Sequence, residues 1–80
     1  MIKEIIAYPF KKVKKAIEKA TTPEEPIKTI ISTNYPHTYT YYWDALGFPT
    51  DVIGGVVIVW NKGIDKAKRE KFVQKINEMV

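Results

Sequence analysis

The chain has 80 residues, with 13 Lys or Arg against 9 Asp or Glu and a formal net charge of +4. It contains no cysteine, which excludes disulfides, thiolate metal sites and cysteine nucleophiles. Its length predicts one domain covering 1–80, and its apolar runs are too short to cross a bilayer. Because the first residues also lack a signal-peptide pattern, we expect a cytoplasmic protein.

The positive charge is confined to the two ends of the chain. All Lys and Arg lie in 1–28 and 62–80, whereas 29–61 has none and carries seven of the ten aromatic residues. An anionic partner would therefore contact the ends of the chain, and an apolar partner would contact the middle.

The first segment predicts an amphipathic helix over about 2–20, kinked at Pro9. Its apolar residues share one side at helical spacing, and lysines occupy the other side. The stripe keeps its phase through the proline, which would remove one backbone hydrogen bond. The alternative is that Pro9 begins the helix and 2–7 is a short strand.

Three short segments rich in β-branched or aromatic residues, at 27–33, 38–43 and 56–60, predict strands. The residues between the first two strands, NYPHT, predict a turn, and 44–55 predicts a longer connection with a turn at Gly54-Gly55. Asp65 predicts the N-cap of a last helix ending near residue 79.

This order of elements predicts an α+β domain with a three-stranded antiparallel sheet and both helices on one face. The opposite face would stay apolar, since VVIVW at 56–60 has no polar position, and monomers rarely leave such a face in water. Either the loop 44–55 folds over it, or a second copy covers it. The homodimer interface would contain five aromatic residues: Tyr39, Tyr41, Trp43, Phe48 and Trp60.

No catalytic, metal or cofactor site emerges from the sequence. His37 is the only histidine, and neither Asp44 nor Asp51 stands at a spacing that makes an acid–base or ligand motif with it. Gly54-Gly55 precedes a strand, unlike the glycines of phosphate-binding loops, which open a helix. We therefore expect a non-enzymatic protein without cofactors.

The lysine-rich helices suggest binding to the phosphate backbone of nucleic acid. Basic residues crowd the start of the last helix, where unpaired backbone amides also attract anions. Because nearly all of the basic residues are Lys, a point charge, we expect binding to be independent of base sequence. A membrane is a weaker candidate, because no lipid anchor accompanies the lysines. The expected phosphate-binding residues are Lys11, Lys12, Lys15, Lys66, Lys68, Arg69 and Lys71.

The predicted order of elements, the turn at Pro36-His37 and the basic run Lys66–Lys71 resemble the double-stranded-RNA-binding domains. This resemblance implies two helices on one face of the sheet and phosphate contacts from the start of the last helix. The chain departs from the family at Asn34-Tyr35, where the family has glycine before the turn proline. The last helix also carries large apolar residues where the family is rich in alanine.

A protein-interaction module is the alternative interpretation. An accessory subunit or inhibitor of this kind would dock its aromatic sheet face, or the loop 44–55, onto another protein. The basic ends would then be ordinary solvated surface. The chain is rich in Ile, Lys and Glu, a composition typical of thermophile proteins, which would account for the lysines without a binding function.

Overall fold

The computed structural model describes residues 2–80, with side chains from Lys11 onward. Six elements follow one another: α1 (Ile2–Ala20), β1 (Ile27–Ser32), α2 (Pro36–Ala45), β2 (Thr50–Ile53), β3 (Val56–Trp60) and α3 (Lys66–Met79). The predicted α+β class, the antiparallel three-stranded sheet and the first and last helices are confirmed. Residues 2–7 belong to α1, so the alternative of a short strand there is wrong. The packing predicted for the apolar side chains of 2–10 lies outside the side chains that the structure describes, and the kink at Pro9 stays a prediction.

The prediction of a strand at 38–43 is wrong, because these residues form α2. Pro36 stands in the first turn of this helix, where its fixed φ and missing N–H are tolerated. Pro36, Thr40 and Trp43 are half-buried, and their spacing of four and three residues is helical. The β-branched and aromatic composition that suggested a strand is outweighed by the packing of this face against the sheet, since β-propensity depends strongly on context.

The second strand lies instead in the segment predicted to be a long connection. β2 pairs with β3 through a hairpin whose turn is the predicted Gly54-Gly55. Gly54 has φ +60°, in the left-handed region that suits glycine. The sheet order is β1-β3-β2, so β3 lies in the centre and is antiparallel to both neighbours.

The main core lies between one face of the sheet and the helices α1 and α3. Alternate residues of β3 point into it, and the apolar sides of both helices cover them, which confirms that the first and last helices share a face. The buried residues of this core are Val13, Ala16, Ile17, Ala20, Ile53, Val56, Ile58, Trp60, Phe72 and Ile76.

α2 covers the opposite face of the sheet. Val57 and Val59, the remaining residues of β3, are fully buried, and α2 contacts both β2 and β3. The sequence predicts that the loop 44–55 or a second copy covers this apolar face. The cover is supplied mainly by α2, which precedes most of that loop. The resemblance to the double-stranded-RNA-binding domains implied helices on one face of the sheet only. Helices on both faces distinguish this fold from that family.

Asp51 connects the core to α3. Its Oδ2 accepts a hydrogen bond from Trp60 Nε1 at 2.7 Å and a charge-assisted bond from Arg69 Nε at 3.1 Å. The Nη2 of Arg69 also donates to the Thr50 carbonyl oxygen at 2.9 Å. Since Trp60 is fully buried, its indole N–H needs this acceptor, and the carboxylate fixes both the tryptophan and the helix.

We predict that Asp51→Ala lowers the free energy of unfolding by about 2 kcal/mol, because it leaves a buried N–H without an acceptor. Asp51→Asn keeps one oxygen for the indole and loses only the charge facing Arg69, so we expect about half that loss. Urea unfolding followed by tryptophan fluorescence measures both values. Equal stability of the two variants would contradict the role given to the indole bond.

The helical state of α2 predicts an order of stability at Tyr41, whose side chain is 80% exposed. Because this side chain makes few contacts, a substitution there changes stability mainly through the helix propensity of the new residue. Tyr41→Ala should therefore be more stable than Tyr41→Val by about 0.5 kcal/mol. A strand at 38–43 would reverse this order, since Val is favoured over Ala in strands. Thermal unfolding of the two variants under identical conditions decides the sign.

Candidate nucleic-acid interface

The exposed side of α1 next to α3 carries a row of three lysines. Lys12, Lys15 and Lys19 recur at spacings of three and four residues, so they share one side of the helix. They line a shallow groove with Ala16 and Met79, which places the row against the end of α3.

A matching row lies on α3. Lys68, Lys71 and Lys75 are exposed and share a side of the helix by the same spacing. They line a second groove with Phe72 and Glu25. Met79, four residues after Lys75, belongs to the first groove, so the two rows adjoin. We call them together the two-helix lysine surface: Lys12, Lys15, Lys19, Lys68, Lys71 and Lys75.

Four of the seven residues predicted to bind phosphate belong to this surface: Lys12, Lys15, Lys68 and Lys71. Lys11 is also exposed and stands four residues before Lys15, so it borders the row of α1 although it does not line the groove. Lys66 falls on the side of α3 that carries Glu70 and Asn77. Helical spacing therefore separates Lys66 from the two rows but not Lys11.

Arg69 does not join the surface either. Its guanidinium points to the sheet, where it binds the carboxylate of Asp51 and the carbonyl of Thr50. Only a quarter of its side chain is exposed. A phosphate could recruit this arginine only by breaking the connection between β2 and α3.

The predicted anion site at the first turn of α3 is occupied by the protein itself. The predicted N-cap is confirmed, since the Asp65 carboxylate accepts from Ala67 N at 3.2 Å. Its backbone carbonyl also accepts from Lys68 N and Arg69 N. The lysines of α3 therefore provide a basic surface along the helix and not an anion pocket at its end.

Sequence reasoning missed Lys19 and Lys75. Both stand four residues after a lysine of the same row, so helical spacing alone would have added them. Their proximity to the opposite row depends on how α1 packs against α3, and nothing in either helix taken alone gives that arrangement.

An aromatic cluster lies on the other face of the sheet. Trp43 meets Tyr42 and Phe48 edge to face, with ring centroids 5.4 and 5.3 Å apart. The ammonium groups of Lys28 and Lys62 lie 5.5 and 4.9 Å from the Phe48 centroid, within cation–π range. The fold thus brings two lysines to an aromatic segment that has none in sequence.

The residues predicted to form a dimer interface are divided by the fold. Trp60 is buried in the core and cannot contact a partner, which corrects that prediction. Phe48 is half-buried, and the ammonium groups of Lys28 and Lys62 lie near its ring. Tyr39 and Trp43 line a groove beside β1, whereas Tyr41 lies on a different side of α2.

His37 lies exposed in the first turn of α2, so it is a helical and not a turn histidine. Within residues 11–80, no group of three His, Cys, Asp or Glu side chains converges to hold a metal. The helices described are also too short or too polar to cross a membrane.

No known protein family, curated protein or solved structure matches this chain. Its function therefore has to follow from its own surfaces.

Proposed function

We propose that the protein is a small non-enzymatic module that binds the phosphate backbone of nucleic acid through the two-helix lysine surface. One observation carries this proposal: lysine rows from two helices distant in sequence adjoin at Met79. Six ammonium groups on rigid helices form an extended basic area, of the kind that neutralises several phosphates at once.

The chemistry of lysine sets the kind of recognition. An ammonium group is a point charge without the planar fork that reads guanine, so it contacts phosphates and leaves bases unread. The one arginine whose fork could serve that purpose, Arg69, is held by Asp51. We therefore expect similar affinity for different sequences and a steep dependence on salt.

The distribution of acidic groups supports the same orientation. Glu70, Glu78 and Asp51 line a groove on the side of α3 that faces β2, away from the lysine row. In the groove that holds all three lysines of the α3 row, Glu25 is the one acidic residue. Lys68 and Lys71 also line a neighbouring groove with Asp65 and Glu70, so a polyanion would be attracted most strongly to the side of α3 next to α1, where the lysines of α1 add to the row.

A second candidate function, a protein-interaction module, is favoured by the groove along α2. It is lined by Ile31, Thr38, Tyr39, Tyr42 and Trp43, with no charged side chain. Tyrosine and tryptophan are common anchors of protein interfaces. The absorbance ratio A260/A280 of the purified protein before and after a high-salt wash separates the two: nucleic acid released by salt supports the first.

The prediction for the lysine surface compares two double variants that remove equal charge from opposite faces of the sheet. Lys71→Gln with Lys75→Gln should weaken binding to all duplex sequences alike. The slope of log K against log salt should flatten by about 1.8, since each phosphate contact contributes about 0.9. Fluorescence anisotropy with labelled duplexes of unrelated sequence measures both effects.

The control, Lys28→Gln with Lys62→Gln, lowers the net charge by the same amount but leaves the two rows intact. It should change the slope by much less. Equal effects of the two double variants would show that only net charge matters. Absence of wild-type binding to single- or double-stranded nucleic acid at about 50 mM salt, where such contacts are strong, would overturn the proposal.

A further inference from the structure

The two edges of the sheet differ in how they are protected. In an antiparallel strand, the N–H and C=O of one residue point to the same side, and those of the next residue point to the other side. Thr33 N–H donates to the Gly55 carbonyl of the hairpin turn that precedes β3. The backbone groups of Ile30 and Ser32 therefore point away from β3. Trp60 N–H donates to Pro49 O on the other side, which directs Thr50 and Val52 to the outer edge of β2.

The outer edge of β2 is partly closed by α3. Arg69 Nη2 binds the outward carbonyl of Thr50, and a charged side chain at an edge opposes pairing with another strand. At the outer edge of β1, the residues 11–80 provide no such partner to Ile30 or Ser32. β1 is therefore the edge that can accept another strand.

An apolar groove borders this open edge. It has a volume of about 360 Å³ and lies between Ile31 of β1 and α2. The large exposed apolar residues of the α2 region lie mostly on the same side. Tyr35, Tyr39, Tyr42 and Leu46 are 71, 38, 57 and 47% exposed, and their helical spacing directs all four to the side where Tyr39 and Tyr42 line the groove.

We propose that the open edge of β1 pairs with β1 of a second copy, antiparallel, around a two-fold axis at Ile31. In this register Ile30 lies opposite Ser32 of the second copy, and the outward groups of both form ladder hydrogen bonds. Ile31 lies opposite its equivalent, and the grooves of the two copies meet under their α2 helices. The interface buries the apolar side of α2 that a monomer leaves in water.

A second copy fits this site better than a different partner because the site is complementary to itself. The groove has no charged lining, so no like charges face each other within it. The regular part of β1, from Thr29 to Ser32, holds no charged residue, so the pairing brings no like charges face to face within it. Pairing β1 with β2 of a neighbour would instead make an open filament, and Arg69 obstructs that edge.

The two-fold axis of such a pair is normal to the sheet. The α1 and α3 layers of both copies therefore lie on the same face of a six-stranded sheet, and the two α2 helices lie on the other. The dimer would present two lysine surfaces side by side.

Proline variants at the two edges test the pairing. Ser32→Pro removes an N–H that points away from β3, so it spares the internal ladder but blocks the edge of β1. Val52→Pro makes the same change on β2. Sedimentation equilibrium should show a wild-type dimer, a dimer for Val52→Pro, and a dissociation constant raised at least about tenfold for Ser32→Pro. A wild-type monomer at high micromolar concentration overturns the proposal, and so does equal weakening by both prolines.

A pair of substitutions on α2 tests the groove without altering the sheet. Tyr42→Glu places a carboxylate in the groove and should dissociate the dimer. Tyr41→Glu adds the same charge on a different side of the helix and should not. If a proline variant fails to fold, amide hydrogen exchange of the wild type decides. The Ile30 and Ser32 amides should become protected as protein concentration rises, and exchange that is fast at every concentration contradicts the pairing.

Discussion

The burial of β3 on both faces is the constraint on which the rest of this fold depends. The strand VVIVW has no polar side chain and is fully buried from Val56 to Trp60. An antiparallel sheet normally leaves one face to water, but this strand needs apolar cover on both. α1 and α3 supply it on one side and α2 on the other, while β1 and β2 satisfy its backbone. The lysine rows are the outward sides of two helices whose inward sides this strand requires.

The polar group at Asp51 complements that apolar constraint. A tryptophan at the end of β3 fills the core but brings an N–H that cannot be buried alone. The carboxylate that accepts it stands on β2 and also receives Arg69. One side chain thus satisfies the indole and fixes the angle of α3 to the sheet. It also removes from the surface the only arginine of a chain whose other basic residues are lysines.

Much of this architecture can be predicted from local sequence patterns. The features that cannot be predicted in this way depend on tertiary contacts. Helical periodicity predicts α1 and α3, β-branched runs predict β1 and β3, and Asp65 predicts its cap. The segment 38–43 misleads because its residues favour strands, although Pro36, Thr40 and Trp43 already stand at helical spacing. In the site, spacing alone groups Lys68, Lys71 and Lys75. Arg69 binds Asp51, 18 residues earlier in the chain, and is therefore not available to the lysine surface. No local sequence rule predicts a contact at that separation.

The cover over Val57 and Val59 differs from the cover on the opposite face. No residue of α2 is fully buried, whereas the α1 and α3 side holds a continuous core. The free energy needed to lift α2 alone is therefore smaller than that of global unfolding. Such a partial opening uncovers a β-rich, uncharged segment of the kind that assembles into cross-β aggregates. Under heat or mild denaturant, association would begin at this uncovered apolar face, with strand pairing at the open edge of β1, because the backbone of β3 stays paired on both sides.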